Sequence, residues 1–241
     1  MIPAPLNNSL PCDLNRFTTR QAAQVQNLLQ TIIALFEPLP RQECATYTAM
    51  WTLLAQTTAP VNITSRQYDA SVQKVLRDLT DLGLLWYDPD LRAVLQCPPF
   101  SALTTLHRIK AFGWNQTYAC TFLDIPLTLL LYGPNAWLDV ESACRRSGEG
   151  LAFRVMVDND QVLHVQSPPE AVDWRVWVPE KLPLLAGPGI RQTGAVAFYT
   201  PADVETYQHY NPDEPGEIYT LEAALYFSEC LMRVYKQALH L

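Results

Sequence analysis

Apolar positions recur at steps of three and four from Thr18 onward: Ala22, Val25, Leu28, Leu29, Ile32, Ile33 and Phe36. That spacing lays one apolar stripe along a helix, which Pro38 and Pro40 bring to a stop. A second helical segment is predicted over about 41–56, and 57–62 reads as a loop. Thr64 and Gln67 stand at capping-box spacing ahead of a third stripe, Tyr68, Val72, Val75, Leu76 and Leu79, which closes at Asp81-Leu82-Gly83. Leu84-Leu85-Trp86-Tyr87, a turn at Asp88-Pro89-Asp90, and Ala93-Val94-Leu95 read as a two-stranded hairpin. Three helices followed by a hairpin is the order of a winged-helix module.

Beyond residue 97 the pattern turns mainly to β. Strands are expected within 103–109, 151–157, 161–165 and 173–178, with a last one at about 193–199. Pro201 sits at a first-turn position of a short helix, 211–216 reads as a loop, and a long helix runs from about Thr220 through Leu221, Leu225, Phe227, Leu231 and Val234. The fold class is therefore α+β. An irregular lead-in over 1–17 precedes a helical, winged-helix-like part over 18–98 and a mixed α/β core over 99–241.

Composition narrows the function classes. The 241 residues are 49% apolar and 17% charged, which suits a globular chain, and the formal charge is −7. A winged helix invites DNA binding, but the third helix sets Arg66, Lys74 and Arg77 against Asp69, Asp78 and Asp81. Phosphate neutralisation by such a face would be poor, so a nucleic-acid partner is not expected. No apolar run approaches the ~18 residues of a membrane span, and the N-terminus lacks a signal-peptide pattern. A cytoplasmic protein without a membrane partner is the expectation. The six cysteines are scattered without a CxxC pair, so their spacing suggests neither a zinc site nor a disulfide framework, and most are expected as free thiols. No cofactor is expected.

Chemistry concentrates in Tyr118-Ala119-Cys120-Thr121-Phe122-Leu123-Asp124-Ile125-Pro126, ahead of the apolar run that ends at Gly133. If this stretch is helical, Cys120 and Asp124 stand at i and i+4, and Thr121 and Asp124 at i and i+3, so either pair shares a face. A carboxyl among Phe122, Leu123, Ile125, Leu127 and Leu130 would be desolvated, which raises its pKa toward neutrality and suits a general acid or base. The plainer reading is a helix cap beside a small core cysteine.

The order of these residues resembles the alkylmercury (organomercurial) lyase family over about 60–230, most strongly over 118–157. Tyr118-Ala119, Leu123-Asp124, the run to Gly133, and Cys144 ahead of a Gly-containing turn carry the resemblance. Trp177-Val178-Pro179, Arg191-Gln192, Phe198-Tyr199, Ala202 with Tyr207 and His209 nearby, and Glu222-Ala223 continue it. The resemblance implies a winged-helix-like part followed by a mixed α/β core, and protonolysis of a carbon–mercury bond. In that family two thiolates hold the metal, and an aspartate three residues after the first cysteine delivers the proton. Asp124 matches that aspartate, and Cys144 matches a cysteine with a structural role. Thr121 stands where the first metal-binding cysteine is expected, with Cys120 displaced by one, and Thr193-Gly194-Ala195 stands where the second is expected. A hydroxyl does not replace a thiolate on a soft metal, so this departure speaks against efficient carbon–mercury cleavage.

The candidate catalytic residues are thus Asp124, Cys120 and Thr121, with Thr193, Tyr118 and Tyr199 as candidate substrate-binding residues. They suggest a diverged lyase-like enzyme using an aspartate as general acid or base on a small organic or organometallic substrate. The alternative is a non-catalytic metal- or small-ligand-binding protein on the same fold, whose only candidate metal ligands are Cys120 and Asp124. A DNA-binding regulator stands third. His107, His164 and His209 read as packing or hydrogen-bonding residues. Trp174 and Trp177, at i and i+3 in a strand, read as one core residue and one interface residue.

Overall fold

The computed structural model describes residues 11–64, 70–159, 162–181 and 194–241. The first helix, α1 (Thr19–Phe36), starts where the sequence places it: the Thr18 hydroxyl accepts from Gln21 N–H, and the Gln21 side chain caps back. Its buried stripe includes Gln24, whose amide donates to the carbonyls of Val178 (3.0 Å) and Pro179 (2.8 Å). A buried polar group is tolerated there because it is fully partnered. Pro40 precedes α2 (Arg41–Thr57), and Thr58 closes it in the left-handed conformation. Val61–Asn62, expected in a loop, forms the short strand β1 by pairing with β3. The third helix, α3 (Ala70–Asp81), buries Val75, Leu76 and Leu79; the capping residue Gln67 and Tyr68 lie outside the described residues.

The hairpin β2 (Trp86–Asp88) and β3 (Ala93–Cys97) follows, then β4 (Phe100–Ser101), β5 (His107–Ala111) and β6 (Gln116–Ala119). The strand predicted within 103–109 starts late for a physical reason. Ser101 Oγ bonds both backbone groups of Leu103, and Thr105 Oγ1 donates to Ala119 O at 2.7 Å, so 102–106 is held out of the strand. Two one-turn helices, α4 (Asp124–Leu127) and α5 (Leu129–Tyr132), lead into β7 (Trp137–Ala143), β8 (Gly150–Val157) and β9 (Leu163–Gln166). These strands make one nine-stranded antiparallel sheet in the order β1-β3-β4-β6-β5-β7-β8-β9, with β2 beside β3. The alternating burial of β7 and β8 gives the sheet one covered and one solvated face.

A second sheet of three strands, β11 (Val196–Phe198), β10 (Arg175–Pro179) and β12 (Gly216–Thr220), packs nearby, with α6 (Pro201–Tyr210) started by a capping box at Thr200 and Asp203. The chain closes with α7 (Leu221–Leu239), which buries residues around most of its circumference. It touches α1, α2, α4, β9, β10 and β12, which explains why it is apolar on more than one side. Trp174 corrects the expectation for the tryptophan pair. It lies just before β10, after the 3-10 turn Pro169–Asp173, and both Trp174 and Trp177 are buried, so neither serves an interface. Cysteine usage also differs in one respect: Cys12 and Cys230 are joined as a disulfide across 218 residues, while Cys44, Cys97, Cys120 and Cys144 are free and buried. No helix among the described residues is long and apolar enough to cross a membrane.

Candidate active site

Asp124 opens α4, after a turn that its own carboxylate and Thr121 hold closed. Asp124 N–H donates to Thr121 O at 3.2 Å, while the Thr121 hydroxyl and backbone N–H both donate to the Asp124 carboxylate. Ile125, Leu127 and Leu129 bury the segment beyond it, and Thr128 satisfies itself on Ile125 O at 2.7 Å. Asp124 keeps partial solvent exposure, yet burial dominates its chemistry. Desolvation raises its pKa from 3.8 to about 7, against the opposing pull of the two Thr121 hydrogen bonds, which favour the charged form.

Around this carboxyl stand groups from distant parts of the chain. Tyr47, Tyr235 and Cys120 feel its charge, and burial first, then that charge, pushes the Tyr235 and Cys120 pKa values up; Cys97, beside Cys120, is raised by burial alone. Tyr47 and Trp51, one turn apart on α2, both donate to Pro98 O, at 2.7 and 2.6 Å. Pro98 and Pro99, joined by a cis peptide, form the turn between β3 and β4. Cys120 hangs from the same turn: its N–H donates to Pro99 O at 3.0 Å and its thiol to Phe100 O at 3.2 Å. Phe36, Tyr47, Trp51 and Tyr235 stack edge to face or tilted at 5.3–6.2 Å, which fixes the two tyrosine rings.

Thr121, Cys120 and Asp124 are thus brought together, but not on one helical face. Residues 116–119 are β6, and the hydrogen bonds of Cys120 to Pro99 and Phe100 continue that strand edge, so the helix starts only at Asp124. The i and i+4 relation of Cys120 and Asp124 therefore does not apply. Tyr118 lies on the partly exposed face of β6, opposite buried Thr117 and Ala119. Tyr199 packs on Trp174 at 6.2 Å. It is four residues along an extended segment, or roughly 13 Å, from Ala195, whose carbonyl accepts Phe122 N–H at 2.9 Å beside the Asp124 turn. Thr193 lies outside the described residues. Reading the sequence missed Tyr47, Trp51, Cys97 and Tyr235; the i and i+4 spacing of Tyr47 and Trp51 was the only available signal.

His107 supports the same turn from below. Its Nδ1 meets Ser142 Oγ at 2.7 Å, its ring also bonds the Ala195 backbone, and burial lowers its pKa to about 3. It is a buried, neutral and partnered histidine, as read from the sequence. Cys144 is buried and free, accepting Ser147 N–H at 3.5 Å.

No protein-family model matches the sequence, and no curated protein matches it at the sequence level. Among solved structures, the mercury-bound form of MerB2 is similar over 88% of this chain and 99% of that one, with a TM-score of 0.63 and 18% identity. The two chains share a fold. The architecture is therefore α+β and MerB-like, that is, an alkylmercury-lyase-like fold. Among the described residues no group of three or more His, Cys, Asp or Glu is arranged to hold a metal ion. Cys120 and Asp124 have no third ligand among those residues, and the raised pKa of Cys120 keeps its thiol protonated, which weakens it as a ligand.

Proposed function

We propose that this chain is a lyase-fold enzyme in which Asp124 transfers a proton to or from a small organic or organometallic substrate. One observation carries the reading: a carboxyl held near a pKa of about 7 at the head of α4 is available in both protonation states at neutral pH. In the acid direction, the neutral carboxyl gives its proton to the electron pair of a breaking carbon bond. A carbon–hydrogen bond forms, the other fragment leaves without that pair, and the carboxylate regains a proton from solvent. Thr121 steadies the carboxylate formed in that step. A carbon–metal substrate would need an external thiol to receive the metal, because Thr121 replaces the expected cysteine and Cys120 is a protonated, buried thiol.

The competing reading is a ligand-binding protein in which Asp124 only caps α4. It is favoured by the second Thr-x-x-Asp turn of the chain, Thr200 to Asp203, where the aspartate likewise accepts from the threonine hydroxyl and N–H at the start of α6 and pairs with Arg146 at 2.9 Å. Carboxyl titration by isotope-edited infrared spectroscopy, beside Asp124→Asn, separates the two. A carboxyl band titrating near pH 7 and absent from the variant is expected; titration near the ordinary value of 3.8 would sink the acid–base proposal. Release of benzene from phenylmercury in excess small thiol is expected to be slow and to vanish in Asp124→Asn.

A further inference from the structure

Residues 11–17 run antiparallel to α7 as a strap. Arg233 Nη1 donates to Pro11 O at 3.2 Å, Cys12 is bonded to Cys230, and Asp13 N–H donates to the Tyr226 hydroxyl at 2.9 Å. Arg16 pairs with Glu222 at 3.5 Å and lies 3.8 Å from the centre of the Tyr226 ring. Phe17 completes the strap against Tyr219, Tyr226 and Phe227, at 5.5–6.5 Å. Beside it, a groove of about 360 Å³ separates α7 from the edge strand β9; its lining mixes Val165, Leu221 and Leu225 with Arg16, Glu222 and Glu229. The strap contributes Arg16 to the rim of this mixed polar and apolar groove, while Phe17 covers the aromatic face of Tyr219, Tyr226 and Phe227.

The tethers differ in kind. The Arg16–Glu222 pair is exposed on both sides and adds little. Two single hydrogen bonds, the buried Phe17 ring and the partly buried Leu14 hold the rest, and among the described residues only the disulfide is covalent. We propose that Cys12–Cys230 is a redox latch: oxidised, it keeps the strap closed on α7; reduced, it lets 11–17 leave and exposes the aromatic face of Tyr219, Tyr226 and Phe227 that Phe17 covers. The inference is independent of any role for Asp124.

The chemistry is thiol–disulfide exchange with glutathione. A glutathione thiolate attacks the sulfur of Cys12, a half-buried residue where Cys230 is fully buried, and forms a mixed disulfide. The Cys230 thiolate leaves and takes a proton. A second glutathione then attacks the glutathione sulfur of that mixed disulfide, giving oxidised glutathione and two protein thiols. Oxidised glutathione drives the same steps in reverse.

The full chain should be equilibrated in glutathione buffers of graded reduced-to-oxidised ratio. Alkylation under denaturing conditions, read by mass spectrometry, should count four thiols at the oxidising end and six at the reducing end. Amide hydrogen exchange over 13–17 in the native protein should be at least ~10-fold faster in the reduced form, with increased binding of a fluorescent apolar dye. Cys12→Ser should exchange fast at every ratio. Six thiols throughout, or equal exchange over 13–17 in both forms, would overturn the proposal.

Discussion

Asp124 and His107 carry opposite pH signatures, and together they hide each other. The Asp124 carboxyl binds a proton in the folded chain up to about pH 7, whereas in the unfolded chain it releases it near 3.8. Folding therefore loses stability as pH rises through that window, by at most about 4 kcal/mol before allowance for its partial exposure. His107 is held neutral down to about pH 3 against an ordinary 6.5, so folding loses stability as pH falls below 6.5. Between about pH 4 and 6.5 the two slopes cancel. Asp124→Asn removes one of them, and the variant is expected to lose up to ~1.4 kcal/mol relative to the parent per pH unit on acidification across that interval. Urea unfolding at half-unit pH steps checks this; parallel curves for the two proteins would show that Asp124 titrates as an ordinary surface carboxyl. Thr121→Val removes a donor to the carboxylate at nearly constant volume. It should move the Asp124 titration upward by roughly one pH unit, read by the same carboxyl band.

At the level of elements, the join of β10 and β12 depends on a missing side chain. A Cβ on Gly216 would stand 2.5 Å from Val178 O and 2.6 Å from Trp177 Cε2, and neither backbone nor a buried indole yields cheaply. Gly216→Ala should cost about 1–3 kcal/mol in denaturant unfolding, in line with overpacking of a filled site; a cost below ~0.5 kcal/mol would mean that Trp177 swings freely. This strand was also poorly legible in the sequence. The long amphipathic helices α1 and α7 and the alternating strand β8 were read nearly to their ends, because many turns or pairs repeat one period. Gly216–Thr220 is too short to repeat anything, and it is a strand only because β10 lies beside it. The site divides in the same way. Thr121 and Asp124 are local partners and were visible, whereas Tyr47 and Tyr235 feel Asp124 through tertiary packing, which leaves no spacing to read. The Cys12–Cys230 bond escaped likewise, since six scattered cysteines permit many pairings.

At the scale of the whole molecule, the division between 18–98 and 99–241 falls inside the turn that joins β3 to β4, in the middle of one hydrogen-bonded sheet. Gln96 and Cys97 on one side pair with Ser101 and Phe100 on the other. The α2 residues Tyr47 and Trp51 anchor the Pro98 carbonyl at that point. Further crossings come from Gln21, which donates to Ile218 O at 2.6 Å, and from Gln24, which bonds Val178, Pro179 and the Tyr219 hydroxyl. The buried side chains of α1 and α2 pack against α7, so neither part covers its own core. A fragment of 1–98 would expose Phe36, Tyr47 and Trp51, and a fragment of 99–241 would expose Tyr235 and lose β3, one of the two partner strands of β4. Hydrophobic burial is the main force offsetting chain entropy, and each fragment would forfeit much of it. Each fragment alone should therefore lack a cooperative thermal transition, while the intact chain unfolds in one step with tryptophan fluorescence and far-ultraviolet dichroism coinciding. Mixing the two should restore dichroism that neither has alone, because the missing β3–β4 partner is then supplied in trans. A cooperative transition in the isolated 99–241 fragment would show instead that the site-bearing part is autonomous, and that the helices before it are an appended module.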